Sequence, residues 1–161
     1  GTWKITKGSL ETLIGVRQES FRDSLKRSVL REIFLGYPKD QLEEDGRNYA
    51  TSLPRLYRSE IIEHVKEHKN KGHELVLVTA SLGCYARPAA LTLGFDHIIA
   101  VELNSKSGRL TGEMTGSNIR GPEKARLLRR YLGYGEVDLW AYGNSAGDTQ
   151  MLQMADHAQK V

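Results

Sequence analysis

The 161-residue chain carries one cysteine, Cys84, so no disulfide can close within it. That excludes the stapled scaffolds of small secreted domains and favours a reducing, cytoplasmic setting. Proline is scarce, at four residues, and no tract of biased composition is present. Long apolar runs are also missing. Leu75 to Ala80 and Ile98 to Val101 are far short of the roughly 20 residues that cross a bilayer. No membrane span is expected, and no secretory leader is read at Gly1. A Gly-x-x-x-x-Gly-Lys loop and a Gly-x-Gly-x-x-Gly turn are both absent, which argues against a nucleoside-triphosphatase and a dinucleotide enzyme.

What is present describes an ordinary globular domain. Hydrophobic residues make up 39% of the chain and charged residues 27%, and the mean hydropathy is −0.47. Lys and Arg total 23 against 20 Asp and Glu. The net charge of +3 is therefore small, and basic residues alternate with acids, as in Arg22-Asp23 and Lys39-Asp40. Such interleaving describes a solvated surface rather than a nucleic-acid interface. Arg126, Arg129 and Arg130 cluster on one segment, where an exposed helix face explains them equally well.

Periodicity divides the chain near residue 54. Leu10, Leu13, Ile14, Val16, Phe21, Leu25, Val29, Leu30 and Phe34 recur every three to four residues and predict an amphipathic helix. Gly36-Tyr37-Pro38 stops it, and a shorter helix is expected over Lys39 to Ala50. Beyond Pro54 the pattern alternates. A helix is expected from Arg55 to Asn70, a buried strand from Glu74 to Thr79, and a helix from Tyr85 to Leu93. His97 to Leu103 and Arg109 to Met114 read as strands joined by a turn over Asn104 to Gly108. Gly121-Pro122 opens a helix to Leu132. Val137 to Tyr142 is a second buried strand, and Ala146 to Ala155 a last helix. Strand and helix in alternation predict an α/β fold with a mainly parallel sheet.

In such sheets ligands bind beyond the carboxyl ends of the strands. Ser81 follows one strand, and Asn144 and Asp148 follow another. Lys124 lies in the first turn of the helix that opens at Gly121, where the positive end of the dipole already favours an anion. A hydroxyl and a lysine for phosphoryl oxygens, with amide and carboxylate oxygens for Mg²⁺, make a phosphate-plus-metal site. Singly each residue has a plainer role: Ser81 as a helix cap, Asp148 as a dipole partner, Asn144 as turn chemistry, Lys124 as a solvated charge.

Jointly they resemble the haloacid dehalogenase (HAD) superfamily. His73-Glu74-Leu75-Val76-Leu77-Val78-Thr79-Ala80-Ser81 is similar to its second motif. Arg120-Gly121-Pro122-Glu123-Lys124 is similar to the third. Gly143-Asn144-Ser145-Ala146-Gly147-Asp148 with Thr149-Gln150-Met151-Leu152 is similar to the fourth. The segment Leu110 to Gly116 resembles the hairpin of the phosphoserine-phosphatase-like branch. The resemblance implies a three-layer fold with a parallel sheet, a helical cap over residues 1–53 and the core over 54–161. It implies Mg²⁺-dependent hydrolysis of a small phosphorylated substrate through an aspartyl-phosphate. Ser81 and Lys124 would serve catalysis and phosphate binding, Arg120 would add a phosphate contact, and Asn144 and Asp148 would hold the metal.

Two departures stand beside the match. The superfamily carries Asp-x-Asp-x-Thr on its first strand, and no two aspartates here are one residue apart. In the superfamily that strand lies between those of the second and fourth motifs, so its loss leaves two buried strands facing a gap of roughly 9.5 Å. Unpaired backbone groups in a core each cost about 1–3 kcal/mol, so the chain is expected to be an excerpt of a longer one, with the final strand only beginning at His157. Asn144 also stands where aspartate is usual. Both departures fit an alternative, a catalytically inactive HAD-like domain that binds a phosphorylated ligand or a protein. His64 and His68 share a helix face, but Val65 stands where the His-Glu-x-x-His of a zinc protease carries its glutamate; solvent exposure is expected there. Trp3, Tyr37, Tyr49 and Tyr57 are expected to be mostly core, and Cys84 a small buried residue.

Overall fold

In a computed structural model of the protein, the backbone is described for residues 7–161 and side chains from residue 21 onward. Trp3 and the side chains of Leu10, Leu13, Ile14 and Val16 lie outside the described residues. Two helices come first, α1 (Lys7–Phe34) and α2 (Lys39–Ala50). A short 3-10 turn at Leu53–Leu56 leads into α3 (Ser59–Asn70), and β1 (Val76–Leu82), α4 (Gly83–Leu93) and β2 (His97–Val101) follow. The hairpin β3 (Leu103–Lys106) and β4 (Arg109–Met114) precedes α5 (Pro122–Leu132), β5 (Trp140–Gly143), α6 (Thr149–Gln153) and β6 (His157–Lys160). Strand and helix thus alternate beyond residue 54 as the periodicity requires.

Several boundaries differ from the sequence reading. Pro54 starts the 3-10 turn rather than a long helix, so α3 begins only at Ser59. The hairpin turn shortens to Ser107-Gly108, both with positive φ, the two-residue geometry that matches strand twist; β3 therefore runs on to Lys106. The expected helix from Ala146 opens as a 3-10 turn and is helical only over Thr149–Gln153. At the far end, His157–Lys160 does not merely approach a strand: it pairs in parallel along the whole of β5.

Parallel pairing joins β1 to β2 and β5 to β6. Among the described residues no pairing joins β1 to β5. Between them lies a cavity of about 510 Å³ with mostly apolar walls, among them Leu75 and Leu77 on one side and Leu139 and Ala141 on the other. The main core gathers Leu30, Val78, Val101, Met114, Leu128 and Met151. A smaller one sets Ala86 and Ala90 of α4 against Ile98 and Ala100 of β2.

Helix α1 departs most from expectation. Its inward row is Asp23, Lys26, Leu30 and Phe34, whereas Phe21 and Ile33 are 69% and 59% exposed and Leu25 and Val29 also face outward. The row that meets β4 is therefore not the whole apolar stripe that periodicity selects. Tyr49 is likewise exposed, its ring edge-on to Tyr85, against the expectation of core. Tyr37 and Tyr57 are half-buried. The carboxyl end of α1 is tied down by Gly36 N donating to Leu110 O (2.8 Å) and Leu110 N donating to Tyr37 O (2.8 Å). Leu30→Ala is expected to cost about 2–5 kcal/mol by urea unfolding. Leu25→Ala should stay within about 0.5 kcal/mol of the parent, as for surface positions.

Candidate active site

Strand β1 carries Ser81 in an irregular stretch. Val78 pairs with Ile99 and Leu82 with Val101, so the β1 edge bulges over Thr79 to Ser81. A bulge re-aims side chains at the end of a strand. Ser81 is half-buried and its N–H donates to Thr79 Oγ1 at 3.1 Å. It is not the cap of α4, whose capping position is Leu82.

The second contributor is the start of α5. Gly121 adopts φ 55°, ψ −128°, a backbone conformation that residues with a Cβ enter only under strain. Its N–H donates to Gly147 O at 2.9 Å, which seats the helix start on the loop after β5. One turn on, Lys124 Nζ donates to Asp148 Oδ1 at 2.5 Å.

The third contributor is the loop after β5. Gly143 is needed for space: a Cβ there would come within 2.6 Å of Asp148 Cβ. Asp148 is 4% exposed. Its Oδ2 accepts from Asn144 N (3.2 Å), Ser145 N (3.0 Å) and Ser145 Oγ (2.7 Å), and the Ser145 and Asp148 pair forms a capping box. Burial pushes the Asp148 carboxyl up, but the hydrogen bonds from Lys124 and Ser145 and the Lys124 charge outweigh it and hold it below the usual carboxylate range. Ser145 is the residue that the motif reading passed over; a serine three before a buried aspartate is the signal for it.

Lys124, Asp148 and Asn144 thus form one connected group, and Arg120 is joined to it through Gly121 and Gly147. The half-buried Arg120 side chain keeps a buried Nε that meets no hydrogen-bond acceptor among the described residues. Such an orphan donor is rare in native interiors. Ser81 makes no hydrogen bond to Lys124 or Asp148. Its link to the group is indirect: Lys26 Nζ donates both to Ala80 O (2.7 Å) and to Asn118 Oδ1 (2.5 Å), two residues before Arg120. Asn118 is buried and donates through Nδ2 to Asp23 Oδ1 at 2.7 Å. Lys26 and Asp23 were not among the sequence candidates, because nothing in a helical stripe marks them.

The residues fit Mg²⁺ in kind. Asp148 Oδ1 accepts a single hydrogen bond, from Lys124, and Asn144 is exposed with an amide oxygen close by in the chain. One carboxylate with neutral oxygens suits a hard cation that keeps several waters. Among the described residues no three His, Cys, Asp or Glu side chains form a fuller cage.

The histidines do not form a metal centre either. His68 is buried, not exposed as read, because Tyr142 and His73 cover it: its Nε2 lies 2.8 Å from Tyr142 Oη and its Nδ1 2.8 Å from His73 Nδ1. Cys84 is buried as expected, and burial first, then Glu43, pushes its thiol up to about 11. Such a thiol is no nucleophile at neutral pH.

The fold is α/β, with a lysine–aspartate pair linking the start of α5 to the loop after β5, and comparison with known proteins names the family. The chain belongs to the haloacid dehalogenase-like hydrolases, whose family model matches residues 6–153. Protein CicA of Caulobacter vibrioides is 36% identical over 137 residues, spanning 84% of this chain and 62% of CicA. Phosphoserine phosphatase of Methanocaldococcus jannaschii is 26% identical over 156 residues, spanning 94% of this chain and 67% of that protein. A solved structure of a protein of unknown function from Bordetella pertussis shares the fold, with a TM-score of 0.70 at 18% identity over 91% of this chain and 70% of that one. No helix among the described residues is long and apolar enough to cross a membrane.

Removing Lys124 takes the ion-pair partner from a buried carboxylate and leaves it only its loop hydrogen bonds. Lys124→Met is expected to cost about 3–5 kcal/mol in urea unfolding at pH 7. Because the Asp148 carboxyl is held down in the folded state, its contribution is present above the unfolded value of about 4 and is lost as pH falls through the folded value. Stability of the parent should therefore drop below about pH 4, and Lys124→Met should flatten that acid limb.

Proposed function

We propose that this chain provides the phosphate-holding part of a phosphate-monoester hydrolase. The observation that carries the reading is the buried Lys124–Asp148 pair at the start of α5, with the unpartnered Arg120 Nε beside it. A desolvated arrangement of fixed positive groups is what phosphoryl transfer requires, since that chemistry depends on positioning and charge stabilisation. In this reading Lys124 meets a phosphoryl oxygen while Asp148 holds its ammonium in place. Arg120 satisfies its orphan donor on the same anion, and the Ser81 hydroxyl donates a third hydrogen bond. Asp148 and Asn144 would hold Mg²⁺, which when bound neutralises phosphoryl charge. Asn144 in place of a carboxylate makes that binding weaker than two acidic ligands would.

The nucleophile is a carboxylate that attacks phosphorus, expels the alcohol and is released from its acyl-phosphate by water. No Asp-x-Asp pair of this chain provides it. The cavity between β1 and β5 is bordered by two strands that pair only on their far edges, and a strand seated there would end beside Lys124 and Asp148. Residues 1–53 would act as the cap over this crevice. Relatives named phosphoserine phosphatase support a small phosphorylated substrate. The lack of an Asp-x-Asp pair supports the second reading, a domain that binds a phosphorylated ligand without turnover.

The test joins two measurements. A protein in which an Asp-x-Asp-x-Thr strand precedes this chain is expected to release phosphate from p-nitrophenyl phosphate with Mg²⁺ and not with EDTA. Lys124→Met in that protein should lower kcat/KM at least about 100-fold, the scale of losing one fixed charge at the transition state. Absence of turnover, with strand and metal both supplied, leaves the non-catalytic reading.

A further inference from the structure

Helix α1 turns apolar residues outward and half-buries charged ones instead. Phe21, Leu25, Val29 and Ile33 face outward, while Asp23 and Lys26 are half-buried in the inward row and bonded to Ala80 and Asn118. Taking charge out of water costs free energy unless partners compensate, so this inversion needs a reason. Packing does not give one, because the same row returns to Leu30 and Phe34 one turn later. The partners are specific. Lys26 Nζ spans the carbonyl of Ala80, immediately before Ser81, and the Asn118 amide, two residues before Arg120. Asn118 is fixed in turn by donating to Asp23. The Lys26 ammonium therefore sits between the two segments that carry Ser81 and Arg120. Both of its acceptors there are neutral, and an ammonium has three protons to donate.

We propose that Lys26 is a phosphate-binding residue brought to the crevice by α1, its ammonium closing on the same anion that meets Ser81 and Arg120. The assignment rests on reading the crevice as a phosphate site. The Asp23–Asn118–Lys26 chain holds the ammonium at the crevice wall before ligand arrives, so little reorganisation is needed. Burial holds the Lys26 pKa below the usual lysine range, and the Asp23 charge offsets only part of that. Because Lys26 belongs to α1, the bound anion would also bind the helical layer to the core.

The test is titration of this 161-residue chain with inorganic phosphate at low ionic strength, followed by amide chemical shifts in NMR spectra. The variants are Lys26→Gln, Lys26→Arg and Lys124→Met, with thermal midpoints measured for each. A purely structural Lys26 needs only uncharged donors for Ala80 O and Asn118 Oδ1, so Lys26→Gln would leave the phosphate Kd within twofold of the parent, and that result overturns the proposal. The expected result is a Kd at least about tenfold higher for Lys26→Gln, the scale of losing a charged hydrogen bond. Lys26→Arg should stay within about threefold, with the midpoints of the two Lys26 variants alike. Loss of binding in Lys124→Met with parent-like binding in Lys26→Gln removes Lys26 alone. No saturable binding by the parent removes the phosphate reading itself, and this assignment with it.

Discussion

The carboxylate of Asp148 is the point on which the candidate site is built. Four donors converge on its two oxygens: an ammonium from α5, two backbone N–H groups and one hydroxyl from its own loop. A buried carboxylate is tolerated only with such compensation, so each donor position is constrained at once. Gly143 must lack a side chain to let β5 approach it, and Gly121 must take a positive-φ backbone that only glycine enters without strain to bring Lys124 within reach. The loop after β5 and the start of α5 are locked together by this one group. A variant that swells either glycine therefore acts on charge placement as much as on packing.

That constraint also explains how the sequence could disclose so much of the site and so little of its surroundings. Lys124, Asn144 and Asp148 stand within short local patterns whose glycines and prolines have a single geometric purpose, and such patterns survive being read in isolation. Ser145 was readable on the same terms, as half of a capping box. Element types beyond residue 54 followed from period alone, since buried strands and amphipathic helices differ in the spacing of apolar residues. Boundaries did not. Pro54 and the loop at Ala146 each tighten into 3-10 turns, where hydrogen-bond geometry rather than hydropathy decides.

Helix α1 shows the opposite limit. Its apolar rhythm is genuine, yet tertiary packing selects a row rotated from it, half-burying Lys26 and Asp23. Nothing local signals that choice, because a lysine on a helix is by default a solvated charge. The link from Lys26 to Ala80 spans 54 residues and that to Asn118 spans 92. Contacts of that separation are written in the fold alone. His68 is a second case: Tyr142 meets it only once β5 lies across α3.

The cavity between β1 and β5 draws these observations together. Each strand satisfies one edge with a parallel partner and turns the other toward the same apolar space. Backbone groups along a buried edge demand hydrogen bonds as firmly as buried side chains do. A helix filling the space would bury apolar area and leave both edges unmet. A second copy of the fold could pair with one edge from outside but could not enter between two. Only an extended segment satisfies both edges while its alternating side chains pack against α3 on one face and α5 on the other. The geometry that asks for a strand is the same geometry that would bring the end of that strand to Lys124 and Asp148, so completing the sheet and completing the chemistry are one physical event.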